Sequence, residues 1–241
     1  MSLSVKILPA TAALLAVVPL SACGVGIGTA DAKKEQRTYT VSDRLTGLKV
    51  TGRTGSVEVV GADVSAVTVT ERLRFTENGR PNVRHQVTNG TLEATYSCPN
   101  SFSLTGHTCE VDYRVTVPRA LAAEVRTDTG GISLTGLTGA VTARTNTGSV
   151  TGTELRPAAS ARFSARTDTG SVRLTFGTAP ASLTARANTG QVKILLPSAQ
   201  RYAVTADTNT GKTRVTIPTA PGASHTVDAH TDTGDLTLAP A

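Results

Sequence analysis

Tryptophan is missing from this 241-residue chain, and four Phe with four Tyr bring the aromatics to only 3%. A core of that composition cannot rest on large rings, so Val, Leu, Ile, Ala and Thr must fill it, which favours narrow β structure. The same lack removes the usual stacking platform for sugars. Cysteines number three, too few for a disulfide-built scaffold. Long apolar runs are also scarce: the one from Ile7 to Leu20 is too short to span a bilayer comfortably. Charge of one sign is not concentrated either. The net charge is +6, and removing Lys6 with a leader leaves 23 basic and 18 acidic residues. Such a balance can favour anionic surfaces but falls short of the clustered charge that argues for nucleic acid.

Residues 1–22 read as a secretion signal, with Lys6 as the positive start, the apolar run, and small residues at Ser21 and Ala22. Leu20-Ser21-Ala22-Cys23-Gly24 resembles the lipobox of bacterial lipoproteins, which implies cleavage before Cys23 and lipidation of that residue. The alternative is an ordinary secreted protein whose signal happens to contain a cysteine. Cys98 and Cys109 then remain as an even pair in an oxidising compartment, and they are expected to form a disulfide. Closing that loop is worth about 3 kcal/mol on the chain-entropy model. A metal reading would add His107, but two cysteines and one histidine fall one ligand short of a structural zinc site. No metal or cofactor is expected. Residues 23–38, small, polar and charged without an apolar period, read as the lipidated Cys and a tether.

From residue 39 to 118 the apolar-polar alternation is longer, with turn signals at Asn78-Gly79 and Asn89-Gly90. This reads as a first coil plus antiparallel capping strands. From 119 to 241 a short turn recurs six times, ending at Gly130, Gly148, Gly170, Gly190, Gly211 and Gly234, with spacings of 18, 22, 20, 21 and 23 residues. A near-constant period marks a stack whose repeats bury their apolar faces against neighbours. Aligned on that glycine, the positions seven and five before it and two and four after it are apolar apart from single exceptions, Thr213 and Gly152. A period of two on both sides of the turn predicts two short strands per coil. The glycine supplies the positive φ of a sharp corner, and the Asp or Asn two residues earlier bonds the local backbone. In chain order that slot holds Asp128, Asn146, Asp168, Asn188, Asn209 and Asp232, with no two Asp adjacent. Stacking predicts this, because neighbouring carboxylates would repel by roughly 1 kcal/mol even in water.

The fold expected is therefore all-β, a right-handed parallel β-solenoid of about 20-residue coils with an antiparallel excursion near its N-terminal end. A β-sandwich of repeated hairpins is the alternative. Val115-Thr116-Val117-Pro118, Leu121 and the Thr-x-Thr-Gly-Gly-Ile-Ser-Leu stretch with its recurrences resemble the "putative adhesin" family of bacterial β-strand repeat proteins, over roughly Val41 to Leu238. That resemblance implies a β-solenoid outside the cytoplasm, in a domain whose function is not assigned.

Asp-Thr-Gly at Asp128, Asp168 and Asp232 resembles the catalytic loop of aspartic proteases, where two carboxylates share a proton. Asn fills the same slot in the other three copies, so the slot calls for a turn-forming oxygen and not an ionisable dyad. A carbohydrate-active enzyme on a β-helix would need converging carboxylates, whereas Glu58, Glu124, Glu154, Asp207, Asp228 and Asp235 are scattered and His225 and His230 differ in parity. The strongest surface pattern is basic. Arg126, Arg144, Arg166 and Arg186 stand four before the glycine, with Asp207 and His230 ending the run, and Arg173, Lys193 and Arg214 stand three after it. Stacked, they form two stripes able to bind anionic polymer or lipid headgroups; the bland reading is a solubilising edge. The function expected is non-catalytic: a lipid-anchored cell-surface protein acting as a binding, adhesion or envelope structural module. Its partners would be the membrane through the anchor, and anionic wall polymers or surface proteins.

Overall fold

The computed structural model describes residues 32–99 and 108–241; the leader, Cys23, most of the tether and His107 lie outside the described residues. The first strands in chain order are β1 (Lys33–Val41), β2 (Gly47–Thr51), β3 (Val57–Ala62), β4 (Val67–Phe75), β5 (Asn82–Thr88), β6 (Thr91–Ser97) and β7 (Cys109–Pro118). The repeats follow as β8 (Ala122–Thr129), β9 (Ile132–Thr135), β10 (Val141–Thr147), β11 (Val150–Leu155), β12 (Arg162–Thr169), β13 (Val172–Phe176), β14 (Ser182–Thr189) and β15 (Val192–Leu196). The last four are β16 (Tyr202–Thr210), β17 (Thr213–Val215), β18 (His225–Thr233) and β19 (Leu236–Pro240). The described residues contain no helix.

These strands form two large sheets, and the two strands of each repeat go one to each sheet. One sheet runs β1-β4-β7-β3-β9-β11-β13-β15-β19-β17, the other β16-β18-β14-β12-β10-β8-β2-β6-β5. Equivalent residues of successive repeats sit opposite one another in parallel ladders, such as Val141 with Phe163 and Ala143 with Ala165. The repeated-hairpin alternative is thereby corrected: each repeat strand pairs with its equivalent in another repeat. Antiparallel pairing is confined to β1 with β4, β4 with β7 and β5 with β6. Alternation dictates the burial. Ile132, Val150, Val172, Val192, Leu236 and their partners Leu134, Leu174, Ile194 and Leu238 are all buried between the sheets, facing Ala143, Ala165, Ala185 and Ala229. Small residues on one sheet and large aliphatics on the other let a thin interior pack without rings.

Each corner is fixed by the same hydrogen bonds. The corner glycine's N–H donates to a Thr carbonyl in the next layer, at 2.8 Å for Gly130 to Thr147, Gly148 to Thr169, Gly170 to Thr189 and Gly190 to Thr233. The glycine's own carbonyl accepts the hydroxyl of a buried Thr in that layer: Thr145 to Gly130 at 2.9 Å, Thr167 to Gly148 at 2.7 Å, Thr231 to Gly190 at 2.8 Å. These buried hydroxyls have no competing water.

Three sequence-based expectations change. The tether expected through residue 38 overlaps β1, because Lys33–Val41 pairs along its whole length with β4. The segment 39–118 is not only an antiparallel cap: β6 and β7 build a further parallel layer on the outside of β2 and β3. Most consequentially, the last coil in sequence is not the last in space. β18 lies between β14 and β16, and β19 between β15 and β17. The exposed end is thus the coil of β16 and β17, while Pro240, near the chain's last residue, pairs with Leu196 inside the sheet. Composition explains the exchange. The β18–β19 coil places Val227, Ala229, Leu236 and Leu238 inward, whereas β17 carries Thr213 at an inward position; the more apolar coil takes the covered place. The expected bridge between Cys98 and Cys109 is present, joining the end of β6 to the start of β7.

Candidate anion-binding face

The outward face of the second sheet places Arg126, Arg144, Arg166 and Arg186 opposite one another on the adjacent strands β8, β10, β12 and β14. A β-ladder spaces such residues about 4.8 Å apart. Thr51 precedes Arg126 in the row, and His230 then Asp207 follow Arg186. The chain order of the last two is reversed by the coil exchange. Two of the four arginines have carboxylate partners: Arg186 meets Asp228 at 2.6 Å, and Arg166 Nε lies 3.5 Å from Asp168. Arg126 and Arg144 have no ion pair among the described residues, and Arg144 Nε is enclosed without a hydrogen-bond partner. The row thus sets four like charges side by side, two of them without a carboxylate partner among the described residues.

The second expected stripe is shorter than the sequence implied. Arg173 and Lys193 are neighbours on β13 and β15, but Thr237 of β19 stands between Lys193 and Arg214. Arg214 belongs instead to the exposed end. On the other side of the arginine row runs the Asp/Asn column, and its order in space is stricter than in sequence. Asp232 lies between Asn188 and Asn209, so the column reads Asp128, Asn146, Asp168, Asn188, Asp232, Asn209. Asn146 donates to Asp128 at 3.3 Å, Asn188 to Asp168 at 3.5 Å and Asn209 to Asp232 at 3.0 Å. The three Asp-Thr-Gly copies are therefore separated by amides and not brought together as a dyad. Of the other acids, Glu58 pairs with Arg114, Asp207 with His230, and Asp235 with the Lys212 N–H, each at a separate place.

Two titratable groups have partners that the reading of the sequence did not assign. His230 donates from both ring nitrogens, Nδ1 2.6 Å from Asp207 and Nε2 2.9 Å from Asp232. The hydrogen bond to Asp232, then that to Asp207, raises its pKa. The imidazolium thus ties β16 to β18, beside the positive Arg186. Since the folded pKa lies above the unfolded value of about 6.5, this contribution is complete below that value and is lost as pH rises through the raised pKa. The thermal midpoint should fall over that window, and His230→Gln should flatten the dependence; an unchanged pH profile in the variant would refute the role. The signal was the placing of Asp207 and His230 in one aligned column. Glu71, 2% exposed, is the other. It takes an inward position in β4 among Val67, Val69, Leu73 and Phe75, accepts the Tyr39 hydroxyl at 3.1 Å, and has its pKa raised by burial. Tyr39 stacks on His85 with ring centroids 4.1 Å apart, closing the interior between the edge strands β1 and β5.

Residues 45–239 match a family model described as Toastrack DUF4097. No curated protein matches the chain. Among solved structures, a "putative cell adhesion protein" of Clostridium sporogenes is 12% identical with a TM-score of 0.53, over 87% of this chain and 100% of its own. A "putative adhesin" of Bacteroides fragilis is 11% identical with a TM-score of 0.47, over 86% and 97%. A "putative lipid binding protein" of Parabacteroides distasonis is 11% identical with a TM-score of 0.35, over 89% and 98%. The first of these supports the two-sheet fold.

Proposed function

Since the chain belongs to the Toastrack DUF4097 family, whose members share a fold and not an assigned activity, we propose from its surface that it is a non-catalytic binding module of the cell envelope. It is anchored outside the cytoplasmic membrane through Cys23 and grips anionic polymer or lipid headgroups with its arginine row. The observation that carries this reading is the uninterrupted row Arg126, Arg144, Arg166 and Arg186, two of whose members lack a carboxylate. A flat β face with cations at one-strand intervals suits a repeating polyanion, where each added contact raises the overall hold. The cell-adhesion description of the Clostridium sporogenes protein is in keeping with such a role. In this reading the two sheets are the sides of a right-handed β-solenoid, as the handedness of parallel crossovers favours.

Charge reversal of Arg126, Arg144 and Arg166 to Glu is expected to weaken binding to purified anionic wall polymer or anionic vesicles on the order of tenfold or more, and to flatten its salt dependence. Unchanged affinity would end the idea. Separately, Cys23→Ala should release the protein from the membrane fraction; a variant that stays bound would remove the anchor.

A further inference from the structure

The two ends of the stack differ. At the N-terminal end the edge strands carry Lys33, Lys34, Arg37 and Arg84, and the Tyr39–His85 stack closes the space between the sheets. At the other end β16 and β17 leave the interior open as a groove of about 720 Å³, lined by Tyr202, Val204, Ala206, Val215 and Ile217. Val215, at an inward position, is 37% exposed. Neither has a neighbouring strand on its outer side; the 218–220 segment pairs there with Tyr202 alone, at the start of β16, through the Tyr202 N–H to Pro218 and the Ala220 N–H to Tyr202. β16 has no Lys, Pro or bulge of the kind that blunts an edge.

We propose that this mouth is closed by a second copy of the chain, related by a twofold axis along the strands, so that β16 of each copy lies beside β17 of the other. Charge selects this arrangement. Asp207 stands four residues before the Gly211 corner and Arg214 three after it, both at outward positions. Rotation about an axis along the strands keeps the corners level, so each Asp207 meets the other copy's Arg214. A twofold axis through the sheets would set Arg214 against Arg214, which like-charge repulsion opposes. Asp207 uses Oδ2 for His230 and keeps Oδ1 without a partner among the described residues. Because the opposite end is capped and charged, the contact is isologous and stops at two copies without growing into a fibre. This inference does not depend on the arginine row.

Sedimentation of the purified chain should show a species of twice 24.8 kDa. Val215→Asp, at an exposed position, and Arg214→Glu should each raise the dimer dissociation constant about tenfold or more. Asp207→Arg should do the same, and an equimolar mixture of Asp207→Arg with Arg214→Glu should recover the dimer, since every Asp207–Arg214 contact is then restored in direct or swapped form. Circular-dichroism melts establish that each variant is folded; if Asp207→Arg is not, Val215→Asp and Arg214→Glu decide alone. A monomer at all concentrations, folded Val215→Asp and Arg214→Glu variants that dimerise as the parent does, a mixture of folded variants that stays monomeric, or native mass spectrometry finding an acyl chain or foreign strand in the groove would each overturn it.

Discussion

Gly170→Ala is expected to cost about 3 kcal/mol or more of folding stability, the sum of a strained backbone and a steric overlap that nothing can relieve locally. The corner φ of +145° is one that L side chains rarely adopt, and an added Cβ would overlap the carbonyl oxygen of Gly148 in the neighbouring layer. That carbonyl cannot retreat, because it accepts the Thr167 hydroxyl while the Gly148 N–H is bonded to Thr169. Relief therefore requires two layers to separate at one corner, which disturbs the ladders on both sheets. Gly222 is the control: its φ is +75°, but nothing lies within 4 Å of an added Cβ, so Gly222→Ala should cost only about 1 kcal/mol for the left-handed backbone. Urea unfolding of the two variants measures the difference. Equal losses would mean that the close stacking of corners does not govern stability. Because each layer is held mainly by its neighbours, a central corner should matter more than the one at Gly211, whose layer has a partner on one side only.

The columns that revealed the repeat were legible because one constraint, burial between two sheets, acts on every second residue of every coil. Val141, Phe163, Leu183 and Val227 differ in size, yet all answer to that constraint and all are buried. The stacking order was not legible, since it depends on a comparison between coils. The coil with Thr213 and Val215 and the coil with Leu236 and Leu238 fit the same template, and only their relative apolarity decides which is covered. Thr213 was visible as the exception to its column, but an exception in one column does not specify an exchange of positions. The Asp/Asn slot shows the same limit from the other side. Its chain order already avoided adjacent Asp, and the exchange turns avoidance into strict alternation, with each Asn amide serving an Asp. Electrostatics thus supports the spatial order, while the chain order gave only a weaker form of it. For the arginine row, residue type and spacing specified the four neighbours. Which of them are neutralised was decided by Asp168, two residues after Arg166 on the same strand, and by Asp228, which reaches Arg186 from the adjacent strand.

Removing one buried hydroxyl should have the next largest effect, and adding one should have the opposite sign. Thr127, Thr145, Thr167 and Thr231 are fully buried, and each donates its hydroxyl to the corner carbonyl of the layer before it. In Thr167→Val the shape is kept and the donor is lost, leaving the Gly148 carbonyl without that partner in a place water does not reach. The expected cost is about 1–3 kcal/mol. The protein contains a natural break in this column: Ala187 stands between Thr167 and Thr231 and leaves the Gly170 carbonyl without the hydroxyl that Gly130, Gly148 and Gly190 receive. The β-branched side chains on either side show that the column accommodates Thr. Ala187→Thr is therefore expected to stabilise the fold by about 0.5–1.5 kcal/mol. Calorimetric melting of both single variants and the double variant separates the contributions. If Ala187→Thr destabilises, the interior at that layer is too tight for the hydroxyl. If Thr167→Val is neutral, the corner carbonyls do not depend on the threonine column, and the backbone bonds from glycine to threonine hold the corners unaided.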